Sequence, residues 1–214
     1  MTVSGLGAPG RKYRGAGPEQ RQQQRRARLV DAAIEEFGTR GYRNTTIDAV
    51  CARAGVGKRY FYESFDGSES LLLAAYSVAT DRLRRSIVDG AAACPGTVDT
   101  AVRGAMTGFF RGIAEDPRIA RIEFFEILGV SPAVDADYRA VTGSFVDTLL
   151  ELVTPLTDIE SVPRPRLRTI ATGLVGAVLM IAQQWVLGDC RQPLDDVVDS
   201  AHTVVTSVLE GLGR

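Results

Sequence analysis

The densest set of side chains able to grip another molecule lies just after a glycine-flanked turn. Lys58, Arg59, Tyr60 and Tyr62 crowd into five positions that follow Gly55-Val56-Gly57. An outward face of Lys, Arg and two Tyr on a short helix suits a polyanion better than a reacting carbon centre. Lys and Arg can read guanine O6 and N7 in a major groove, at ~1–3 kcal/mol of discrimination per good bidentate contact. Tyrosine hydroxyls can bond phosphates and set the register. The competing reading of the same residues is a solvated helix with aromatics in a side groove. His202, the sole histidine, lies within an apolar face and has no recognisable Ser or Cys partner, so it is read as structural. Cys51, Cys94 and Cys190 are odd in number and far apart, which fits neither a disulfide framework nor metal-ligand spacing. No catalytic residue, metal or cofactor is assigned, and the chain is not read as an enzyme.

The elements that would position those residues follow from periodicity. Val30, Ala33, Ile34 and Phe37 recur at helical spacing, predicting a helix from Glu19 to Arg40 that stops at Gly41 in a left-handed cap. A second helix opens at Thr45-Thr46, where either hydroxyl can cap and Asp48 completes a capping box on Thr45. Gly55 breaks it, and a third helix runs from about Gly57 to Ser64. Two short helices across a three-residue turn, after a longer supporting helix, make a helix-turn-helix. Its turn needs positive φ at Gly55 and a small neighbour at Ala54. Val56, Phe61 and Phe65 should then point inward, leaving Gly57, Lys58, Arg59, Tyr60, Tyr62 and Glu63 outside. Beyond it, Pro and Gly breaks delimit helices near 67–90, 96–115, 117–129, 131–154, 165–188 and 194–211. No run alternates with a two-residue period, so the fold is predicted all-α, with about nine helices.

Charge divides along the same line. Residues 1–65 carry 12 Lys/Arg against 6 Asp/Glu, and residues 66–214 carry 13 against 20. A basic front on an acidic body is the layout of a chain whose N-terminal end meets nucleic acid. The reading is a flexible basic tail over 1–18, a DNA-binding helix-turn-helix domain over 19–66, and a ligand-binding and dimerisation domain over 67–214. Arg11, Lys12 and Arg14 in the tail could reach phosphates or stay solvated. Thr169 to Gly188 is uncharged and long enough to span a bilayer. Its Thr and Gln residues and flanking charges favour a buried helix, so no membrane contact is expected. The cysteine usage and an N-terminus without a signal-like apolar run point to the cytoplasm.

The stretch TTIDAVCARAGVGKRYFYESFDGSESL, with Phe37 and Gly41 ahead of it, resembles the TetR family of transcriptional regulators over residues 24–75. It carries the paired threonines opening the second helix, the small-Ala-Gly-Val turn, the Tyr-x-x-Phe ending of the recognition helix and the following Glu-x-Leu. The resemblance implies a ligand-responsive DNA-binding regulator, expected to be a repressor, released from its operator by a small molecule. It places Thr45 or Thr46, Lys58, Tyr60 and Tyr62 where the family contacts DNA; Gly57 and Arg59 complete the expected DNA-binding set. Three positions depart from the pattern. Gly57 replaces a capping Ser, Arg59-Tyr60 replaces a common Gly-Thr pair, and Ser68 stands where many members carry a phosphate-contacting Lys.

For the body, the family implies dimerisation through the last two helices and an inducer cavity. The expected homodimer seam is Leu174, Val178, Ile181, Val197, Ala201, Val205 and Val208, from helices that are apolar over broad faces. Such a dimer offers two recognition helices to palindromic half-sites one helical turn, ~34 Å, apart. The expected cavity lining is Met106, Phe109, Phe110, Phe124, Phe125, Phe145, Leu149, Met180 and Trp185, for a hydrophobic or aromatic effector; simple core packing is the alternative for each. Two rival functions remain. Asp195-Asp196-Val197-Val198-Asp199 is a DDxxD string like the magnesium motif of all-helical isoprenoid synthases, but no second carboxylate cluster is evident, and acids in a helix's first turn are expected from the macrodipole. An architectural DNA-binding protein without a ligand is the other.

Overall fold

Pro18 opens the first helix, where its missing N–H costs nothing because that position has no intrahelical partner. In the computed structural model, which describes residues 17–157 and 162–212, α1 spans Pro18–Arg40. It ends at Gly41, whose N–H bonds the Phe37 carbonyl at 3.1 Å. Gly41 has φ +91° and ψ +149°, so the helix leaves through an open turn and not the expected left-handed cap. A 3-10 turn over Tyr42–Asn44 leads into α2 (Ile47–Ala54). Thr46 is its cap, accepting from the Ala49 N–H at 3.2 Å. The expected capping box on Thr45 does not form: the Thr45 hydroxyl donates back to the Gly41 carbonyl at 2.9 Å, and Asp48 turns to Lys58.

After α3 (Lys58–Tyr62) come α4 (Ser68–Ala93), α5 (Val98–Glu115) and α6 (Pro117–Arg121). The chain continues through α7 (Pro132–Val153), α8 (Arg164–Leu187) and α9 (Leu194–Leu212). Among the described residues there is no strand. The helix expected over 117–129 is instead α6 running into a π-helical turn, Ile122–Glu126. A single π turn widens the backbone and rotates the side chains after it. The basic tail expected over 1–18 lies outside the described residues, apart from its last two.

One buried apolar cluster runs from Leu29 on α1 to Leu209 on α9. Each large side chain fully withdrawn from water contributes ~1.5–3 kcal/mol. Leu71, Leu72, Ala75 and Tyr76 on α4 are all buried, joining α1 to the body helices. The closest helix contact is α4 on α5. A Cβ on Gly104 would overlap the Gly90 carbonyl, and one on Gly108 would overlap the Ser86 carbonyl. With Gly112 these residues repeat every four positions, so a full face of α5 lies flat on the α4 backbone. By length and composition α8 could cross a membrane, with 33% of its most apolar window buried. Here it packs on α7 and α9.

Candidate nucleic-acid interface and ligand cavity

The turn before α3 is held from both sides. Gly55 sits at φ +59°, ψ +40°, a left-handed conformation that costs other L-residues ~1–2 kcal/mol. Arg28 on α1 reaches under it and donates to the Ala54 carbonyl and, at 3.1 Å, to the Gly55 carbonyl. Val56, Phe61 and Phe65 are buried, with Phe61 wholly enclosed. Phe61 and Phe65 pack 5.8 Å apart, fixing the roll of α3. That roll turns Gly57, Lys58, Arg59, Tyr60, Tyr62 and Glu63 to the surface.

Both cations on that face have a carboxylate partner. Lys58 Nζ lies 2.7 Å from Asp48 on α2, and Arg59 Nε lies 3.2 Å from Glu63 one turn on. Lys58 stands in the first turn of α3, where the helix dipole disfavours a cation, and Asp48 offsets this. These pairs are solvent-exposed, so they contribute little to stability; their effect is to set where the side chains point. The Tyr60 ring lies under the Arg25 guanidinium, 4.3 Å away, while Tyr62 is 58% exposed and its hydroxyl reaches solvent. Thr46 is exposed, whereas Thr45 is half-buried with its hydroxyl turned toward α1. Arg25 and Arg28 escaped sequence reading, and Asp48 was read as a cap and not as the partner of Lys58, because each acts across elements. The basic start of α1 was the one local hint for the two arginines.

Polar contacts tie this head to the body. Arg118 on α6 forms a two-pronged pair with Asp116, at 2.7 and 2.9 Å, and also bonds Glu35 on α1. Arg121 bonds Glu126 and the Thr39 carbonyl, each at 2.9 Å, and Glu126 accepts from the Tyr42 N–H at 2.7 Å. The π turn thus touches the end of α1 directly. Gly38 lies against Arg118 with no space for a Cβ.

Between α5, α7 and α8 lies a narrow apolar cavity of about 70 Å³, closed by Ile87 on α4 and Val205 on α9. Met106, Phe109, Phe145 and Leu149 line it, as four of the nine expected residues. The other five do not. Phe110 is fully enclosed against Trp185, 5.7 Å away, and Phe124 turns into a second, smaller cavity. Phe125 faces a groove beside Gly38, and Met180 is 55% exposed on the outside of α8. Trp185 bonds the Gln192 carbonyl through its indole N–H at 2.9 Å. The cavity instead recruits aliphatic side chains that sequence reading assigned elsewhere: Leu174, Val178 and Val205 point into it.

That placement corrects the expected seam as well. Leu174, Val178, Val197, Ala201 and Val205 are buried within the subunit, Ile181 is half-buried, and of the seven only Val208 is exposed. Both helices are apolar on more than one face, and packing selected the opposite one. The outer face of α8 carries Gly173, Gly176, Met180 and Leu187, and Val204 and Val208 are exposed on α9. A Cβ on Gly173, Gly176 or Gly211 would meet nothing within 4 Å.

In the DDxxD string, Asp195 and Asp196 face solvent and Asp199 pairs with Arg103 on α5. His202 lies 2.9 Å from Asp99 and 3.3 Å from Arg103, a polar tie between α5 and α9. Among the described residues no cluster of three or more His, Cys, Asp or Glu could hold a metal ion.

Comparison with known proteins bears on the same two regions. Residues 29–75 match the model of the bacterial regulatory proteins of the tetR family, a span running from α1 to the first turns of α4. Among solved structures, the fatty acid degradation regulator FadR of Bacillus halodurans superposes with a TM-score of 0.72 at 18% identity, covering 89% of this chain and 96% of that one. FadR of Bacillus subtilis, solved in complex with stearoyl-CoA, gives 0.69 at 17% identity, over 84% and 97%. At these identities the likeness is one of fold. The HTH-type transcriptional activator FasR of Mycolicibacterium smegmatis is 30% identical over 174 residues, 80% of this chain and 76% of its own. Identity at that level, sustained far beyond the 29–75 segment, means that the chain belongs to the TetR family of bacterial transcriptional regulators, which bind DNA.

Proposed function

We propose that this regulator reads a palindromic operator through α3 as a homodimer and changes its grip when an apolar chain enters the cavity along α7. Lys58 and Arg59 read base edges, Tyr60 and Tyr62 bond phosphates, and Thr46 and Gly57 offer hydroxyl and backbone N–H groups to the DNA backbone. Thr45 supports that surface from behind. A second copy covers the outer faces of α8 and α9, spacing two α3 helices by ~34 Å.

The observation that carries this reading is the short mechanical path from cavity to head. Phe109 and Met106 on α5 line the cavity, an adjacent face of α5 lies on α4 through Gly104 and Gly108, and α4 begins six residues after α3 ends. The cavity is too narrow to admit a chain without parting α5 from α7, and α4 must follow α5. Its walls are apolar but for Thr148, which suits an alkyl chain more than an aromatic ring system. The stearoyl-CoA complex of Bacillus subtilis FadR supports the same ligand class. Ligand shifts the balance only by binding one dimer state more tightly; moving it from 1:99 to 99:1 takes about 5.5 kcal/mol.

Repression is the first reading of the outcome. Activation is the second, favoured by FasR, a transcriptional activator. The test is selection of duplexes from a random pool, then titration of the selected operator with and without stearoyl-CoA. One palindrome bound at least 1,000-fold more tightly than random duplex, and released by stearoyl-CoA, is expected. Binding without sequence preference would sink the regulator reading in favour of an architectural protein.

A further inference from the structure

The apolar cavity has a polar continuation that its lining does not require. A second cavity of about 10 Å³, room for one water-sized group, is lined by Tyr76, Glu123, Tyr138 and Thr142 among others. Both cavities touch Phe145 on α7 and Leu179 on α8, so these two side chains are the partition between them. The two lie along one face of α7 and the 3-10 turn, Thr154–Leu156, that follows it. Leu156 on that turn and Leu152, Leu149 and Phe145 on α7 descend the main cavity, and Phe145, Thr142, Val141 and Tyr138 continue into the small one. Leu156 is 40% exposed at the outer end, and Glu123 is 3% exposed at the inner end.

Glu123 is the first acid of the π turn, and among the described residues its carboxyl has one hydrogen-bond partner: the Thr80 hydroxyl, 3.0 and 3.3 Å from its two oxygens. A carboxyl has roughly four hydrogen-bonding sites, so most of its capacity is unmet. Burial raises its pKa to about 8, which keeps it an uncharged acid at neutral pH, able to donate as well as accept. An aliphatic side chain would tie α4 to the π turn equally well without leaving a polar group out of water.

We infer that the small compartment between Glu123, Tyr76, Tyr138 and Thr142 receives a single hydroxyl at the inner end of the ligand's chain, so that an ω-hydroxylated apolar chain is held more tightly than the plain hydrocarbon tail of the same length. This rests on the proposal that the cavity along α7 is the ligand site. The charged or bulky end stays at the mouth near Leu156, and Phe145 swings aside to let the tip through. The Arg84 guanidinium, 5.6 Å from the Phe145 ring and bonded to Ser144, steadies the closed position. A chain that lacks the hydroxyl still fills the apolar cavity but leaves the buried acid unpaired, and so binds less tightly.

The matched probes are dodecanoate and 12-hydroxydodecanoate, titrated calorimetrically into the full chain at pH 7. The hydroxylated chain should bind at least tenfold more tightly, about 1.4 kcal/mol. Glu123→Leu should abolish that preference by letting dodecanoate bind more tightly, since no acid is then left unpaired, and Glu123→Gln, which can still donate and accept, should keep most of it. Thermal melts of each variant identify any that fail to fold. Equal binding of the two probes by the unmodified chain, or a preference that survives Glu123→Leu, overturns the inlet for a hydroxyl and leaves the ligand cavity standing. No binding of either probe by any folded variant overturns the cavity reading itself, and this inference with it.

Discussion

In the proposed DNA complex Lys58 arrives already engaged with Asp48, so its truncation and that of Tyr62 should differ in kind. Tyr62 is 58% exposed and is proposed to bond phosphate, so Tyr62→Ala should weaken binding to all duplexes alike, by ~1 kcal/mol. Lys58→Ala should cost ~1–3 kcal/mol on the operator and little on random duplex, compressing the ratio between them. Fluorescence anisotropy on both duplexes at fixed salt separates the two patterns; uniform loss from Lys58→Ala would move that residue from base reading to phosphate contact. Glu123 makes a pH prediction at the same scale. Its carboxyl is held near pKa 8 in the fold, by burial first, against an ordinary 4.5, with Thr80 and the Arg84 charge pulling the other way. Tyr76 and Tyr138 share its small cavity from α4 and α7, with Asp137 acting on Tyr76. Below about pH 4.5 both states hold the proton and nothing is lost. Between about 4.5 and 8 the unfolded chain releases it first, so stability falls with rising pH by at most ~1.4 kcal/mol per unit. Urea unfolding at fixed protein concentration should show Glu123→Gln gaining on the parent from pH 5 to pH 8; a constant difference would remove the buried acid as the cause.

At the scale of elements, α4 and α5 behave as one body because glycines let their backbones meet. Gly108 faces the Ser86 carbonyl with no volume to spare, and Gly104 the Gly90 carbonyl. Gly108→Val should therefore force the helices apart and cost ~1–3 kcal/mol by overpacking. If the seam transmits cavity occupancy, a folded Gly108→Ala variant should still bind ligand but show a weakened ligand effect on operator affinity. Full coupling in that variant would assign transmission to the second route, from Phe124 beside Phe109 through the π turn to Glu126 and Tyr42.

For the whole molecule, the proposed dimer rests on the uncovered faces of α8 and α9. Met180 and Leu187 are 55% and 63% exposed, and Gly173 and Gly176 leave room for close helix approach. Val204→Glu with Gly176→Glu should give a folded monomer by light scattering. Its affinity for a palindrome should fall at least 100-fold, since one half-site then binds alone, while half-site affinity stays unchanged. A variant that remains dimeric would place the seam elsewhere. With the basic residues of α1 and α3 proposed to meet DNA phosphates, affinity should also fall steeply with salt.

Legibility followed the range of the interactions involved. The turn at Gly55, the inward set Val56, Phe61 and Phe65, and the outward set around Lys58 were readable because backbone φ, helical period and local charge are properties of a few consecutive residues. The pairing of Asp48 with Lys58 and the stacking of Arg25 on Tyr60 were not, since each joins helices whose crossing no local pattern encodes. In the body the sequence by itself determined that α8 is apolar nearly all round and that α9 carries a broad apolar face, so that each has more apolar surface than one neighbouring helix can cover. Which flank turns inward was decided only by tertiary packing, which sent Leu174, Val178 and Val205 to the cavity and left Val204 and Val208 outside. Hydrophobic burial is proportional to area and has no direction. It can demand that a face be covered, but the choice between two equally apolar faces falls to the shapes of the neighbouring helices.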